Sequence, residues 1–200
     1  MCAGGRYRPN VPTGLDQLID VATRTLSGAG AAHALIGGCA RNVYAPPRAT
    51  RDVDLGVVAS PDAYTRIARE LTAAGFSRVT ETRTDPQAVV PDVALFSDAT
   101  GGRIDLLMAH TEFEERAISR AVPVFLPSAG LTIPVVKVED LIVYKVLAGR
   151  PRDLMDIEDI IRFQISSDAS IDWAYVEDEC ARWDALPVLQ TARSRATRDA

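Results

Sequence analysis

Residues 33–58 read HALIGGCARNVYAPPRATRDVDLGVV, and the order of their parts points to a strand, a tight turn, a helix and a second strand. Leu35 and Ile36 close a buried strand, Gly37 and Gly38 form the turn, and Cys39 to Tyr44 begin a helix. Glycine lets a backbone approach phosphate oxygens closely, and the free N–H groups at a helix start favour anionic oxygen. The next strand carries Asp52 and Asp54 on one face and Val53, Leu55 and Val57 on the other, because side chains alternate along a strand. One face is suited to metal and the other to the core.

The flanking sequence extends this α/β pattern. Apolar residues at Leu15, Leu18, Ile19, Ala22 and Leu26 have helical spacing, and Gly28 and Gly30 end the run. Ser60 with Pro61 caps a helix reaching about Ala74, which Gly75 stops. Residues 88–96 and 103–109 read as two strands joined by a turn over 98–102, Thr111 caps a short helix, and 122–136 is strand-like. From Lys137 only helices are expected: 138–148, a break, 153 to about 164, and at least one over 171–189 anchored by Trp173 and Trp183. The expected division is a core over 1–136, with 1–12 flexible, and a helical part over 137–200, frayed from 190.

At 200 residues the chain accommodates one domain with at most a small appendage, and a hydrophobic content of 47% supports a real core. The sequence has no apolar run of the roughly 18 to 20 residues that a membrane span needs, and the N-terminus does not read as a secretory signal, so a cytoplasmic location is expected. Cys2, Cys39 and Cys180 follow neither metal nor disulfide spacing. A net charge of −5 argues against a broadly basic nucleic-acid surface but leaves room for a local patch. Lysine and arginine total 22, yet only Lys137 and Lys145 are lysine.

Phosphoryl and nucleotidyl transfer need charge neutralised at both attacking and leaving oxygens, which two hard cations held by carboxylates accomplish. Asp52 and Asp54 offer two ligands. Asp105 in GRIDLLMA is the best third, since Ile104, Leu106 and Met108 form the apolar face opposite it; Asp92 is a weaker rival. Lys145 stands on the apolar stripe of its helix, so it either snorkels to water or meets a phosphate or carboxylate. Lys137 reads as solvent-exposed. Asp153 fits a helix N-cap with Asp156 three residues on, and Arg150 and Arg152 either grip phosphates or face water. His33 and His110 read as structural, Cys39 lacks a histidine partner that would make it a nucleophile, and Arg66, Arg69 and Arg78 read as a solvated face.

The stretch resembles the signature of the nucleotidyltransferase superfamily: a Gly-Gly or Gly-Ser turn, then Asp-hydrophobic-Asp, then a third acidic residue on a strand. Arg48, Thr50, Asp52 and Asp54 are similar to the R-x-T-x-D-x-D form of AbiEii-type nucleotidyltransferases, among them toxins of toxin-antitoxin systems. The segment VEDLIVYKVLAGRPRDLMDIEDI is similar to their second element, so the resemblance covers roughly residues 33–162. It implies an α/β (α+β) fold, a mixed sheet flanked by helices with a small helical part behind it. It also implies an NTP substrate and Mg2+ or Mn2+ on Asp52, Asp54 and Asp105. Gly37, Gly38, Arg48, Thr50 and Arg150 would bind the nucleotide, with Lys145 at the leaving group and Asp156 or Asp153 positioning Lys145 or the nucleotide. Asp105 would also draw the proton from the attacking hydroxyl. The implied acceptor is RNA, including a tRNA 3′ end, with a protein or an aminoglycoside-like small molecule as alternatives, and the implied partner is a cognate antitoxin. Two other readings stand beside this one: a non-catalytic binding protein or antitoxin of the same fold, and a tRNA-tailing polymerase head. GGCARNVY approaches the motif of that head but has Asn42 where it has Asp.

Overall fold

The computed structural model describes residues 14–198, so the flexible lead-in expected over 1–12, including Cys2, and the last two residues of the frayed tail lie outside the described residues. Helix α1 (Gly14–Gly28) buries Leu18, Ile19, Ala22 and Leu26, the stripe its spacing requires. It leads into β1 (Ala32–Leu35), α2 (Gly37–Tyr44) and β2 (Asp52–Val58). Helix α3 (Pro61–Ala73) starts as expected, with the Ser60 hydroxyl accepting from the Ala63 N–H and Pro61 in the first turn. Strands β3 (Ser77–Thr82), β4 (Val93–Ser97) and β5 (Arg103–Met108) precede α4 (Glu112–Ser119), whose Thr111 and Glu114 form a reciprocal capping box. The hairpin β6 (Val122–Leu126) and β7 (Leu131–Val135) comes next. Helices α5 (Val138–Ala148), α6 (Pro151–Ser166), α7 (Trp173–Arg182) and α8 (Leu186–Arg198) complete the described chain.

The strands form one mixed sheet in the order β3-β4-β5-β2-β1-β7-β6. The central pair decides the site. Strands β2 and β5 run parallel with Asp54 opposite Asp105 and Asp52 opposite Arg103, so two distant segments place their acids side by side. Val53, Leu55, Val57, Ile104 and Leu106 are fully buried on the apolar face of the same strands. Beyond the acids, α4 packs against β1 and β2, and a Cβ at Gly56 would stand 3.3 Å from Ile118. Helices α5 and α6 both pack on α2, which brings the helical end of the chain against the glycine turn.

Three local expectations are revised, and one strand was not anticipated. Strand β3 shows no apolar alternation, because it is an edge strand with nearly every residue exposed. Asp153 is not an N-cap: Arg150 holds that position and Pro151 supplies the first turn, which places Asp153 inside α6. Trp183 is 45% exposed and anchors little, whereas Trp173 is packed on the core under the Arg193 guanidinium at 4.0 Å. The tail over 190–198 continues as helix, since the small residues Ala192 and Ala196 are fully buried and α8 packs along α6.

Candidate active site

One cavity of about 420 Å3 is lined by Gly37, Gly38, Arg48, Thr50, Asp52, Asp54, Asp105, Lys145, Arg150 and Asp156. The residues favoured from sequence for the site thus line one cavity. The rival Asp92 lies elsewhere, receiving the Thr84 N–H and hydroxyl at 2.6 and 2.7 Å and facing His110 at 3.2 Å. His33 is a core residue with Nδ1 at 2.9 Å from the Ala31 carbonyl. Cys39 is buried with its thiol pushed up to about 12 by burial and by the nearby Asp54 and Asp52, which suits it to packing rather than nucleophilic attack.

The glycine turn is fitted to Asp54. Gly37 has φ +60°, and a Cβ there would stand 2.0 Å from Asp54 Oδ2; the Gly38 N–H donates to that same oxygen at 3.3 Å. Gly37→Ala therefore meets both backbone strain and a collision that displaces the carboxylate. We expect it to melt a few degrees lower and to lose about a hundredfold in whatever reaction the cavity performs, the scale of a 1 Å misplacement. Gly38→Ala, which meets the Thr50 hydroxyl at 2.9 Å without positive φ, should lose far less. A thermal melt and an activity assay on the two variants check this; equal losses would contradict the assignment of Gly37.

The acids are under electrostatic tension. Burial, then the Asp52 charge, raises the Asp54 pKa against the Gly38 N–H. Burial also pushes Asp105 up to about 6, with Asp54 and Asp52 adding to it and Arg103 opposing. Among the described residues, no group of three or more His, Cys, Asp or Glu side chains stands in position to hold a metal ion. Arg103 stands among these acids, its guanidinium 2.7 Å from Asp105 Oδ2 and 3.9 Å from Asp52 Oδ1. The donor chemistry still fits a hard cation: the side-chain donors are carboxylate oxygens, and Asp105 Oδ1 is buried without a hydrogen-bond partner.

Opposite the acids, Lys145 is 4% exposed and meets carboxylates rather than water, Asp156 Oδ2 at 2.6 Å and Asp153 Oδ1 at 3.4 Å. Arg48 grips Asp156 through two hydrogen bonds of 2.7 Å, and Arg41 approaches it at 3.4 Å. Burial opposes ionisation of Asp156, but the hydrogen bonds from Arg48 and Lys145 outweigh it and hold its pKa low. Arg150 turns back to Asp153 at 2.6 Å. Asn42 accepts the Arg48 N–H at 3.0 Å and donates to the Arg48 carbonyl at 2.8 Å, which gives it a bracing role in the loop. Leu141, Tyr144, Lys145 and Ala148 share the stripe of α5 that lines the cavity.

Three contributors were not identified from sequence: Arg41, Arg103 and Tyr144. Arg103 shares a face with Asp105 by strand alternation, a signal that identifies the neighbour but not the ion pair. Arg41 is 2% exposed and pairs with Asp159, 118 positions away, at 2.5 Å, which no local pattern announces. Tyr144 precedes Lys145, and the helical period that singles out the lysine also places the tyrosine beside it.

A family model described as "Nucleotidyl transferase AbiEii toxin, Type IV TA system" matches residues 22–197. No curated protein matches the sequence significantly. Among solved structures, an antigenic nucleotidyltransferase-like protein from Paracoccidioides brasiliensis is similar at 16% identity and TM-score 0.51, over 91% of this chain and 93% of that one. The solution structure of the antibiotic-resistance factor ANT(2'')-Ia is similar at 14% identity and TM-score 0.55, over 90% and 96% of the two chains. At these identities the likeness shows the fold, which is nucleotidyltransferase-like.

Proposed function

The chain belongs to the AbiEii nucleotidyl transferase family, and from that premise we propose that it moves a nucleoside monophosphate from an NTP to an acceptor hydroxyl with release of pyrophosphate. The observation that carries this reading is the pairing of Asp54 with Asp105 across parallel strands, with Asp52 on the same face, in one cavity with the glycine turn and Lys145. Asp52, Asp54 and Asp105 would hold Mg2+ or Mn2+, which would supply Lewis-acid stabilisation of the transferring phosphoryl group. The turn at Gly37 and Gly38 cradles the β- and γ-phosphates at the start of α2. Lys145, held by Asp156 and Asp153, offsets charge developing on the leaving group. Asp105 accepts the proton of the attacking hydroxyl. Arg48 and Thr50 hold the loop that closes the phosphate side, and Arg150 lies at the cavity wall, exposed to incoming anion.

The proposed acceptor is RNA, with a tRNA 3′ end as the leading case, and the proposed physiological setting is a toxin checked by a cognate antitoxin. No helix among the described residues is long and apolar enough to cross a membrane. The test is incubation of the full chain with each α-labelled NTP, Mg2+ or Mn2+, and total cellular RNA. Label should enter RNA. Label entering protein instead would overturn the RNA acceptor, and absence of both transfer and NTP binding would leave a binding protein of the same fold.

A further inference from the structure

A second cavity of about 440 Å3 adjoins the first and shares Thr50, Asp52, Arg103 and Arg152 with it. It is not lined by the glycine turn or by Lys145; Arg51 closes it instead. Three guanidinium groups therefore wall a hollow on a protein whose net charge is −5. Arg51 is exposed and its guanidinium has no ion-pair partner among the described residues. Arg152 is exposed and donates only to the Ala49 carbonyl at 3.4 Å. Arg103 divides itself between this hollow and the acids, bonded to Asp105 at 2.7 Å. Such fork-shaped donors match phosphate oxygens, and two of the three are uncommitted to any carboxylate.

We propose that this hollow is a phosphate subsite distinct from the triphosphate cradle, and that it seats a backbone phosphate of the polynucleotide acceptor beside Asp52. The inference rests on the nucleotidyl-transfer reading and names where its acceptor binds. In-line displacement requires the attacking hydroxyl to approach the α-phosphate opposite the departing pyrophosphate. The glycine turn and Lys145 serve the pyrophosphate side, and the hollow touches neither. A phosphate between Arg51, Arg103 and Arg152 would fix the end of a strand with its hydroxyl directed at Asp52, Asp54 and Asp105. A polycationic acceptor would instead face three like charges.

The test measures two affinities of the full chain in Mg2+: a short 5′-labelled single-stranded RNA by fluorescence anisotropy, and inorganic tripolyphosphate by calorimetry. Because both residues are exposed, Arg51→Gln combined with Arg152→Gln should keep the wild-type melting temperature. The double variant should bind the RNA about tenfold or more weakly, and the salt dependence of log K should flatten by about 1 to 1.5. Tripolyphosphate affinity should stay within about twofold of wild type, and Arg51→Lys, which keeps the charge but not the fork, should lose less RNA affinity than Arg51→Gln. Unchanged RNA affinity would overturn the subsite, as would a parallel loss of tripolyphosphate, which would assign the arginines to the NTP. A wild type that binds tripolyphosphate but no RNA overturns the subsite and leaves nucleotidyl transfer standing; one that binds neither contradicts both.

Discussion

Asp54→Asn should fold at least as well as wild type and transfer nucleotide about a thousandfold more slowly. The activity loss follows from the place of Asp54, opposite Asp105 and against the glycine turn, where its carboxylate would be one of the ligands of a bound cation. Several kcal/mol of transition-state stabilisation are attributed to such a cation, and about 4 kcal/mol corresponds to about a thousandfold in rate. The stability side has the opposite sign. Burial and the Asp52 charge raise the Asp54 pKa, so at neutral pH the ionised carboxylate opposes folding. A neutral amide of the same shape removes that opposition, and its oxygen can still accept the Gly38 N–H. A variant that melts well below wild type, or one that keeps most of its activity, would contradict this assignment.

Asp156→Ala should be the costliest single change in the cavity for stability. One carboxylate with a side chain 3% exposed receives Lys145, 5% exposed, and Arg41, 2% exposed, together with Arg48, 25% exposed. Removing it leaves Lys145 with Asp153 alone at 3.4 Å, and that carboxylate already serves Arg150. Breaking a buried pair by deleting one partner costs about 3 to 5 kcal/mol, because the survivor stays desolvated and unpaired. Asp153 and Asp159 soften the loss towards about 3 kcal/mol, which corresponds to a fall in melting temperature of about 6 to 12 °C for a chain this size. The double variant Lys145→Met with Asp156→Leu should regain part of that stability while remaining inactive. If the losses of the single variants Lys145→Met and Asp156→Leu simply add in the double variant, the residues are not coupled and the pairing of Lys145 with Asp156 does not carry the stability assigned to it.

The parts of this architecture legible in sequence are those governed by short periods. Alternation on a strand is local, so Asp52 and Asp54 could be separated from Val53, Leu55 and Val57, and Asp105 from Ile104 and Leu106, before any contact was known. Helical spacing likewise singled out Lys145 as a charge on an apolar stripe, and its partner is a carboxylate within the next helix. What sequence reading missed depends on partners far apart or on faces that are never buried. Arg41 meets an α6 that begins more than a hundred residues later. Strand β3 borders solvent and carries no apolar face to betray it. The end of α8 is held by Ala192 and Ala196, whose small side chains give only a faint signal in a polar stretch. Arg103 shows a further limit: its face was evident, yet its ion pairs with Asp105 and Asp52 follow only from the register that sets Asp52 opposite it.

The central claim is that this cavity transfers the nucleotidyl group rather than the terminal phosphate. It is tested most directly by running one reaction with α-labelled and, in parallel, γ-labelled NTP, and counting label in the acceptor and in released pyrophosphate. The account predicts α-label in the acceptor and γ-label in pyrophosphate, in equal amounts, with both abolished by Asp54→Asn. Recovery of γ-label in the acceptor, or transfer that survives Asp54→Asn, would contradict it.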